Sequence, residues 1–330
     1  MKTIRLGMIS FAHMHAYSYV RSMQQLPHVE LVGIYDEDLE RAHAAAARSG
    51  AKHYEDVSLL LKDVDGVIIC TENRKHFGYA MAAAEAGVHI MVEKPITTVG
   101  EEARELIALC SRKGVILQTA FPVRLNTSVQ KVKQQIDDGS VGEIVAIAAT
   151  NHGRMPSGWF IDPELAGGGA VLDHTVHVAD VMRWLLHSEV TEVYAEVDTL
   201  LHDVPVDDCG LLSLRFENGV VATLDTSWSR PSTFSTWGDV TMRIVGTKGV
   251  LHLDAFGQNG SLWEEGAIPS HRYVGWGDSS DGALVGEFVA SIREGRSPSI
   301  TGEDGLRAAE VAWAAYESAK TNQAVQVKRY

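Results

Sequence analysis

Val88-His89-Ile90-Met91-Val92-Glu93-Lys94-Pro95 opens with a short apolar run fenced by Gly87 before it and Pro95 after it. A run of that length between two breakers reads as a strand buried on both faces, the kind found in parallel sheets. Similar runs occur at residues 4–9, 29–35, 66–70 and 115–119, separated by alanine-rich amphipathic segments such as 38–49 and 75–86. Strand and helix alternating at this spacing predict βαβ units and a doubly wound parallel sheet over residues 1–121. Glu93 and Lys94 then sit just past a strand end, at the carboxyl edge where open α/β sheets hold their ligands.

Beyond Phe121-Pro122 the texture changes. A helical segment at 127–138 leads into strand patterns at 143–150, 192–201, 211–216, 220–227, 239–245 and 250–254. Glu217-Asn218-Gly219 and Thr247-Lys248-Gly249 supply hairpin-type turns. Residues 122–330 are therefore expected to form a second, α+β domain with an open, mainly antiparallel sheet. A final helix at about 303–320, with Leu306, Ala309, Val311, Trp313 and Tyr316 at mixed helical spacing, is expected near the domain junction.

The chain has 330 residues, 45% of them hydrophobic and 22% charged, which describes an ordinary globular protein large enough for two cores. A formal net charge of −14 speaks against nucleic acid or an anionic membrane as partner, since both select clustered Lys and Arg. Three cysteines without metal-type spacing suit a reducing compartment. With no apolar leader pattern and no apolar span of about 18 residues, the expectation is a cytoplasmic protein.

A dinucleotide site needs a tight turn after the first strand and a helix whose free N–H groups face the phosphates. Here the turn is Gly7-Met8-Ile9-Ser10-Phe11-Ala12-His13-Met14-His15, and a Gly-x-Gly-x-x-Gly template fits best with Ser10, Ala12 and His15 at the glycine positions. His15 would then lie beside the phosphates, while the other reading makes His13 and His15 packing and capping residues of the first helix. The second strand ends at Asp36, the position from which an acidic side chain accepts hydrogen bonds from the adenosine ribose and disfavours a 2′-phosphate. Capping of the next helix is its alternative. Thr71, Asn73 and His76 follow another strand and can line the same edge, or cap a helix.

Gly167-Gly168-Gly169-Ala170-Val171-Leu172-Asp173-His174-Thr175-Val176-His177 is the second informative stretch. Asp173 and His177 are spaced i, i+4 and share one helix face. With Lys94 they supply the groups needed to move a proton while a hydride moves elsewhere.

Thr71-Glu72-Asn73 with His76, Glu93-Lys94-Pro95, Arg124, Trp159-Phe160 ahead of the three glycines, and Asp173 with His177 occur in that order, joined by the turns Gly246-Thr247-Lys248-Gly249 and Thr301-Gly302-Glu303-Asp304-Gly305. Over nearly its whole length the chain resembles the Gfo/Idh/MocA family, the relatives of glucose–fructose oxidoreductase and inositol dehydrogenase. The resemblance implies a Rossmann domain, a bound nicotinamide cofactor, hydride exchange with a carbon of a sugar, cyclitol or sugar acid, and assembly as a homodimer or homotetramer through the second sheet. It implies catalytic roles for Lys94, Asp173 and His177, of which His177 is the expected general base and Lys94 the donor to the reacting oxygen. Ser10, Phe11, Ala12, His13, His15, Asp36, Thr71, Asn73, His76, Glu93 and Lys94 are the expected cofactor contacts, with NAD favoured over NADP by Asp36. Arg124, His152, Arg154, Trp159 and His174 join Asp173 and His177 as expected substrate contacts. No metal is assigned. Two other readings remain: a metal-dependent enzyme using the histidine-rich segments, and a non-catalytic relative that binds dinucleotide or sugar, which the glycine-free turn favours.

Overall fold

The computed structural model describes residues 2–265, 270–275 and 279–330. Its first sheet has six strands: β1 (Ile4–Ile9), β2 (Val29–Tyr35), β3 (Lys52–His53), β4 (Gly66–Ile69), β5 (His89–Val92) and β6 (Leu117–Thr119). All pairings are parallel, in the order β3-β2-β1-β4-β5-β6. The helices between them are α1 (Ala16–Gln25), α2 (Leu39–Ser49), α3 (Val57–Asp63), α4 (His76–Glu85) and α5 (Gly100–Lys113). Leu6, Met8, Ile68, Ile90 and Met91 are wholly buried, as continuous apolar strands covered on both faces require. Strand order reverses between β1 and β4, and a crevice at that switch point collects whatever follows the carboxyl ends of β1, β4 and β5. β3 and α3 leave no mark in the sequence pattern, because a two-residue strand and a seven-residue helix carry almost no periodicity.

α6 (Thr127–Asp137), α7 (Pro163–Ala166) and α8 (Ala170–Leu186) accompany a second sheet of β7 (Ile144–Gly153), β8 (Val190–Asp198), β9 (Cys209–Phe216), β10 (Val221–Ser227), β11 (Gly238–Gly246) and β12 (Val250–Asp254). β13 (Asn259–Glu264) and β14 (Ser270–Gly275) form a separate two-stranded ribbon, and β15 (Val325–Gln326) edges the second sheet, whose order is β12-β11-β7-β10-β9-β8-β15. Every pairing in it is antiparallel except that of β7 with β10. The two hairpins turn where expected, with Gly219 at φ +86° in the β9–β10 turn. Burial alternates along β9 and β10. The buried face meets α8 and α10 (Gly302–Thr321), while Val145, Tyr194, Leu211 and Val221 stand exposed on the other. The late helices also close over the first sheet, with α9 (Ser280–Glu294) packed on α1 and α10 on α5 and β6. Among the described residues no helix is long and apolar enough to cross a membrane.

Candidate active site

The three glycines before α8 fix how that helix enters the site. Gly167 ends α7 in the left-handed region at φ +75°. A Cβ on Gly169 would lie 1.9 Å from the Asp207 carbonyl oxygen, so only glycine lets the backbone pass. The first amides of α8 then find unusual caps: Gly169 and Val171 donate to the Asp207 carboxylate at 2.9 and 2.7 Å, and Leu172 donates to the Tyr316 hydroxyl at 3.1 Å.

Held this way, α8 turns Asp173 and His177 toward the end of β5. Lys94 Nζ bonds Asp173 Oδ1, and both side chains are largely withdrawn from solvent. Asp173 Oδ2 receives Trp228 Nε1 and the His174 ring, each at 3.3 Å, and His174 Nδ1 is anchored 2.8 Å from the Asn151 carbonyl. Burial would raise the Asp173 pKa, but Lys94 and His174 outweigh it and hold the carboxyl well below its ordinary range. His177 is pushed well below the usual imidazole range, first by burial and then by Lys94, so its ring is neutral. Its Nδ1 and the Asn151 Oδ1 are buried with no partner among the described residues. Such atoms are costly in a finished core and point to a site awaiting polar atoms of a ligand.

Lys94, Asn151, Asp173, His174 and His177 line a cavity of about 470 Å³ that also receives His13, His15, His152, Trp237 and Asp281. The volume suits a small polar organic molecule. His152 is held by Asp225 and Asp239 on either ring nitrogen, and Arg230 braces Asp239.

The turn after β1 is constructed differently. Ser10 occupies the left-handed region at φ +67°, doing with a side chain what the glycine template does without one. Its hydroxyl donates to Asp36 at 3.1 Å and accepts the Ala12 N–H at 3.1 Å. Asp36 is 2% exposed and accepts five hydrogen bonds, from Ser10 Oγ, Phe11 N, Asp38 N, Arg41 Nε and Arg41 Nη2. Burial works against its charge, yet Arg41 and the two amides carry the pKa below normal. Asp38, not Asp36, caps α2. The helix-capping alternative for His15 is also unmet: it stands at the start of α1 with no side-chain cap bond, and its Nδ1 meets Glu93 Oε1 at 3.0 Å.

Several expected contact residues have their polar groups engaged within the protein. Arg124 does not face the cavity; its guanidinium is taken by Asp180, Asp304 and the Ser299 carbonyl in a buried network. Asn73 donates to the Ala166 carbonyl at 2.9 Å, and Thr71 Oγ1 to the Glu72 carbonyl at 3.1 Å. His76 lies between the carbonyls of Pro95 and Thr71, bracing the loop that carries Lys94. Trp159 stacks on Phe160 and donates to the Ala12 carbonyl, while Arg154 bonds the Phe234 carbonyl. In each case a polar side chain legible from sequence satisfies a backbone carbonyl or buried ion pair that only the tertiary fold creates. Asn151, Trp228, Arg230, Asp239 and Asp281 join the site without any local motif to announce them.

Residues 4–121 match the family described as "Oxidoreductase family, NAD-binding Rossmann fold", and residues 129–252 match the "GFO/IDH/MocA C-terminal domain". The chain is 28% identical to 1,5-anhydro-D-fructose reductase of Ensifer adhaerens, over 91% of each chain. It is 25% identical to myo-inositol 2-dehydrogenase of Thermotoga maritima, over 98% of this chain and 99% of the relative. Among solved structures, GenD2 from gentamicin A biosynthesis, in complex with NAD, superposes with a TM-score of 0.91 at 23% identity, covering 100% of this chain and 97% of that one. Two successive family matches, a parallel sheet followed by a mainly antiparallel one, and Lys94 meeting Asp173 at the sheet edge lead to one conclusion: the chain belongs to the Gfo/Idh/MocA family of oxidoreductases.

Proposed function

We propose that the protein is a nicotinamide-dependent dehydrogenase that exchanges a hydride with a secondary alcohol or ketone of a sugar, cyclitol or sugar acid. The observation that carries this reading is the buried Lys94–Asp173 pair beside a neutral His177 whose Nδ1 has no partner among the described residues. The relatives named for myo-inositol and 1,5-anhydro-D-fructose support the substrate class.

The turn fits a dinucleotide. α1 starts without a side-chain cap or an acidic residue in its first turn, leaving a helix start suited to phosphate. Ser10, Phe11, Ala12, His13 and His15 would hold the pyrophosphate side, Asp36 and Arg41 the adenosine side, and Glu93 and Lys94 the nicotinamide side. When bound, the cofactor supplies the hydride acceptor. Among the described residues the carboxylates of Asp36, Glu37, Asp38 and Glu72 pair with Arg41 and Lys75 alone, so a further phosphate would meet net negative charge, and NAD is the preferred form.

His177 takes the hydroxyl proton. Its low pKa keeps it ready as a base, at the cost of basicity relative to an ordinary imidazole. Lys94 donates to the same oxygen and steadies its developing negative charge in a site shielded from water. Asp173 orients Lys94, and His152 and Asn151 offer further polar atoms to substrate hydroxyls. The exposed side chains of Val145, Tyr194, Leu211 and Val221 mark the sheet face through which copies would pair as a homodimer or homotetramer. Size-exclusion chromatography with light scattering tests that assembly, and a monomer at working concentration would contradict it.

A panel of sugars, cyclitols and sugar acids assayed for NAD⁺ or NADP⁺ reduction, with the matching ketones assayed in reverse, tests the activity. Turnover of at least one secondary alcohol is expected. Cofactor binding without turnover across the panel would favour the non-catalytic reading.

A further inference from the structure

Beyond the carboxyl ends of β1 and β5, two histidines and a glutamate converge that the dinucleotide reading gives separate contacts and does not use as a set. His13 Nδ1 lies 3.6 Å and His15 Nδ1 3.0 Å from Glu93 Oε1. One donor atom from each of the three lies within 4.8 Å of the others, and no other three such side chains come so close among the described residues. We propose that His13, His15 and Glu93 bind a divalent transition-metal ion, zinc or a chemical equivalent, in the wall of the active-site cavity.

Tetrahedral coordination with metal–ligand bonds of about 2.0–2.1 Å sets donor atoms about 3.3 Å apart, and the two measured separations bracket that value. The ligand types match as well: two imidazoles and one carboxylate form a set used by zinc and by other first-row divalent ions. His13 is 2% exposed, and its Nδ1 accepts the His15 N–H in a long contact of 3.3 Å that an ion would have to replace. Glu93 is 1% exposed and already has outer partners of the kind that hold ligating carboxylates, Tyr19 Oη at 2.6 Å and the Lys94 N–H at 3.1 Å. His15 is half-buried and borders the cavity, so a three-ligand ion would keep a position open for water or a substrate oxygen.

The proposal goes beyond the dehydrogenase reading and is tested apart from it. Protein made without a histidine tag, stripped with chelator and dialysed, is titrated with Co²⁺ and followed by its ligand-field absorption, and NAD binding is measured on the same preparation. Wild type should take up one equivalent saturably, and Zn²⁺ should displace it. His15→Ala removes a half-exposed ligand and should weaken Co²⁺ binding by at least about 100-fold, beyond the loss expected for an outer-shell change. His152→Ala, which alters a cavity histidine outside the set, should bind Co²⁺ as wild type does. Glu93→Gln should behave like His15→Ala. No saturable Co²⁺ binding by wild type overturns the proposal, as does unchanged binding in His15→Ala. Failure of NAD binding in the same samples would count against the dinucleotide reading instead.

Discussion

The two sides of the candidate active-site cleft satisfy their polar groups in opposite ways. On the side of the turn after β1, Asp36 accepts five hydrogen bonds from its own chain and Ser10 uses its hydroxyl within the turn. On the α8 side, His177 Nδ1 and Asn151 Oδ1 are buried without partners among the described residues. The first arrangement replaces a glycine fingerprint with a side-chain brace, and such a brace maintains a shape. The second leaves hydrogen-bonding capacity unspent next to a buried ion pair, and that capacity is what a reacting substrate can use. Changes on the α8 side should therefore act on chemistry, and changes on the turn side on cofactor affinity and stability.

The largest effect is expected from His177→Ala, which removes the proposed base: the rate of the chemical step should fall by about 10²–10⁴-fold with the fold intact. Because His177 titrates well below the usual imidazole range, the wild-type rate should show no imidazole ionisation near neutral pH from this residue. A pH–rate profile with an inflection near 6.5 that disappears in the variant would contradict that placement.

Asp36→Ala tests the other side. Loss of the acceptor for Ser10, Phe11 and Arg41 should weaken NAD binding by about 10–100-fold, the order of one or two charged hydrogen bonds. It should also narrow the gap between NAD and NADP, since Arg41 is released toward a 2′-phosphate. Equal efficiency of the two cofactors in wild type would contradict the reading of Asp36.

His13, His76 and His177 all have pKa values lowered chiefly by burial, His13 to about 3. Below pH 6.5 the unfolded chain binds protons that the folded protein refuses, so stability should be fully present above that pH and fall as the solution is acidified toward the folded values. For His13 the loss by pH 5 is about 2 kcal/mol. Denaturant midpoints that stay flat from pH 7 to 5 would contradict it.

The smallest change should come from Ser10→Gly. It relieves the left-handed backbone, worth about 1–2 kcal/mol, while giving up hydroxyl bonds worth about 1 kcal/mol each. The midpoint should shift little, and a loss above about 3 kcal/mol would mean that the brace does more than replace glycine.

The same contrast explains what the sequence could reveal. Lys94, Asp173 and His177 were legible because strand-end position and i, i+4 spacing are local properties, and the fold carries both through. Strands such as β5 and β9 were legible from their apolar runs and alternation. Arg124 was not, because its partner Asp180 is brought to it only by the packing of α8 against the segment after β6. The capping roles of Asp207 and Tyr316 are hidden for the same reason, since they reach α8 from two separate parts of the chain. The β7–β10 parallel pair eludes turn signals, since no hairpin joins those strands. The surroundings of Asp36 are not legible in the sequence, because Arg41 reaches it from α2 and Ser10 and Phe11 from the turn after β1.

Lys94→Ala is the most direct test of the division between the two sides. NAD affinity and the single-turnover rate of hydride transfer at saturating NAD⁺ would be measured on one preparation, with a substrate found in the panel. Affinity is expected to remain within about threefold while the rate falls by at least about 10²-fold, the loss typical of an oxyanion-stabilising donor. A near wild-type rate, or a loss confined to NAD affinity, would contradict the assignment of chemistry to the Lys94–Asp173–His177 side.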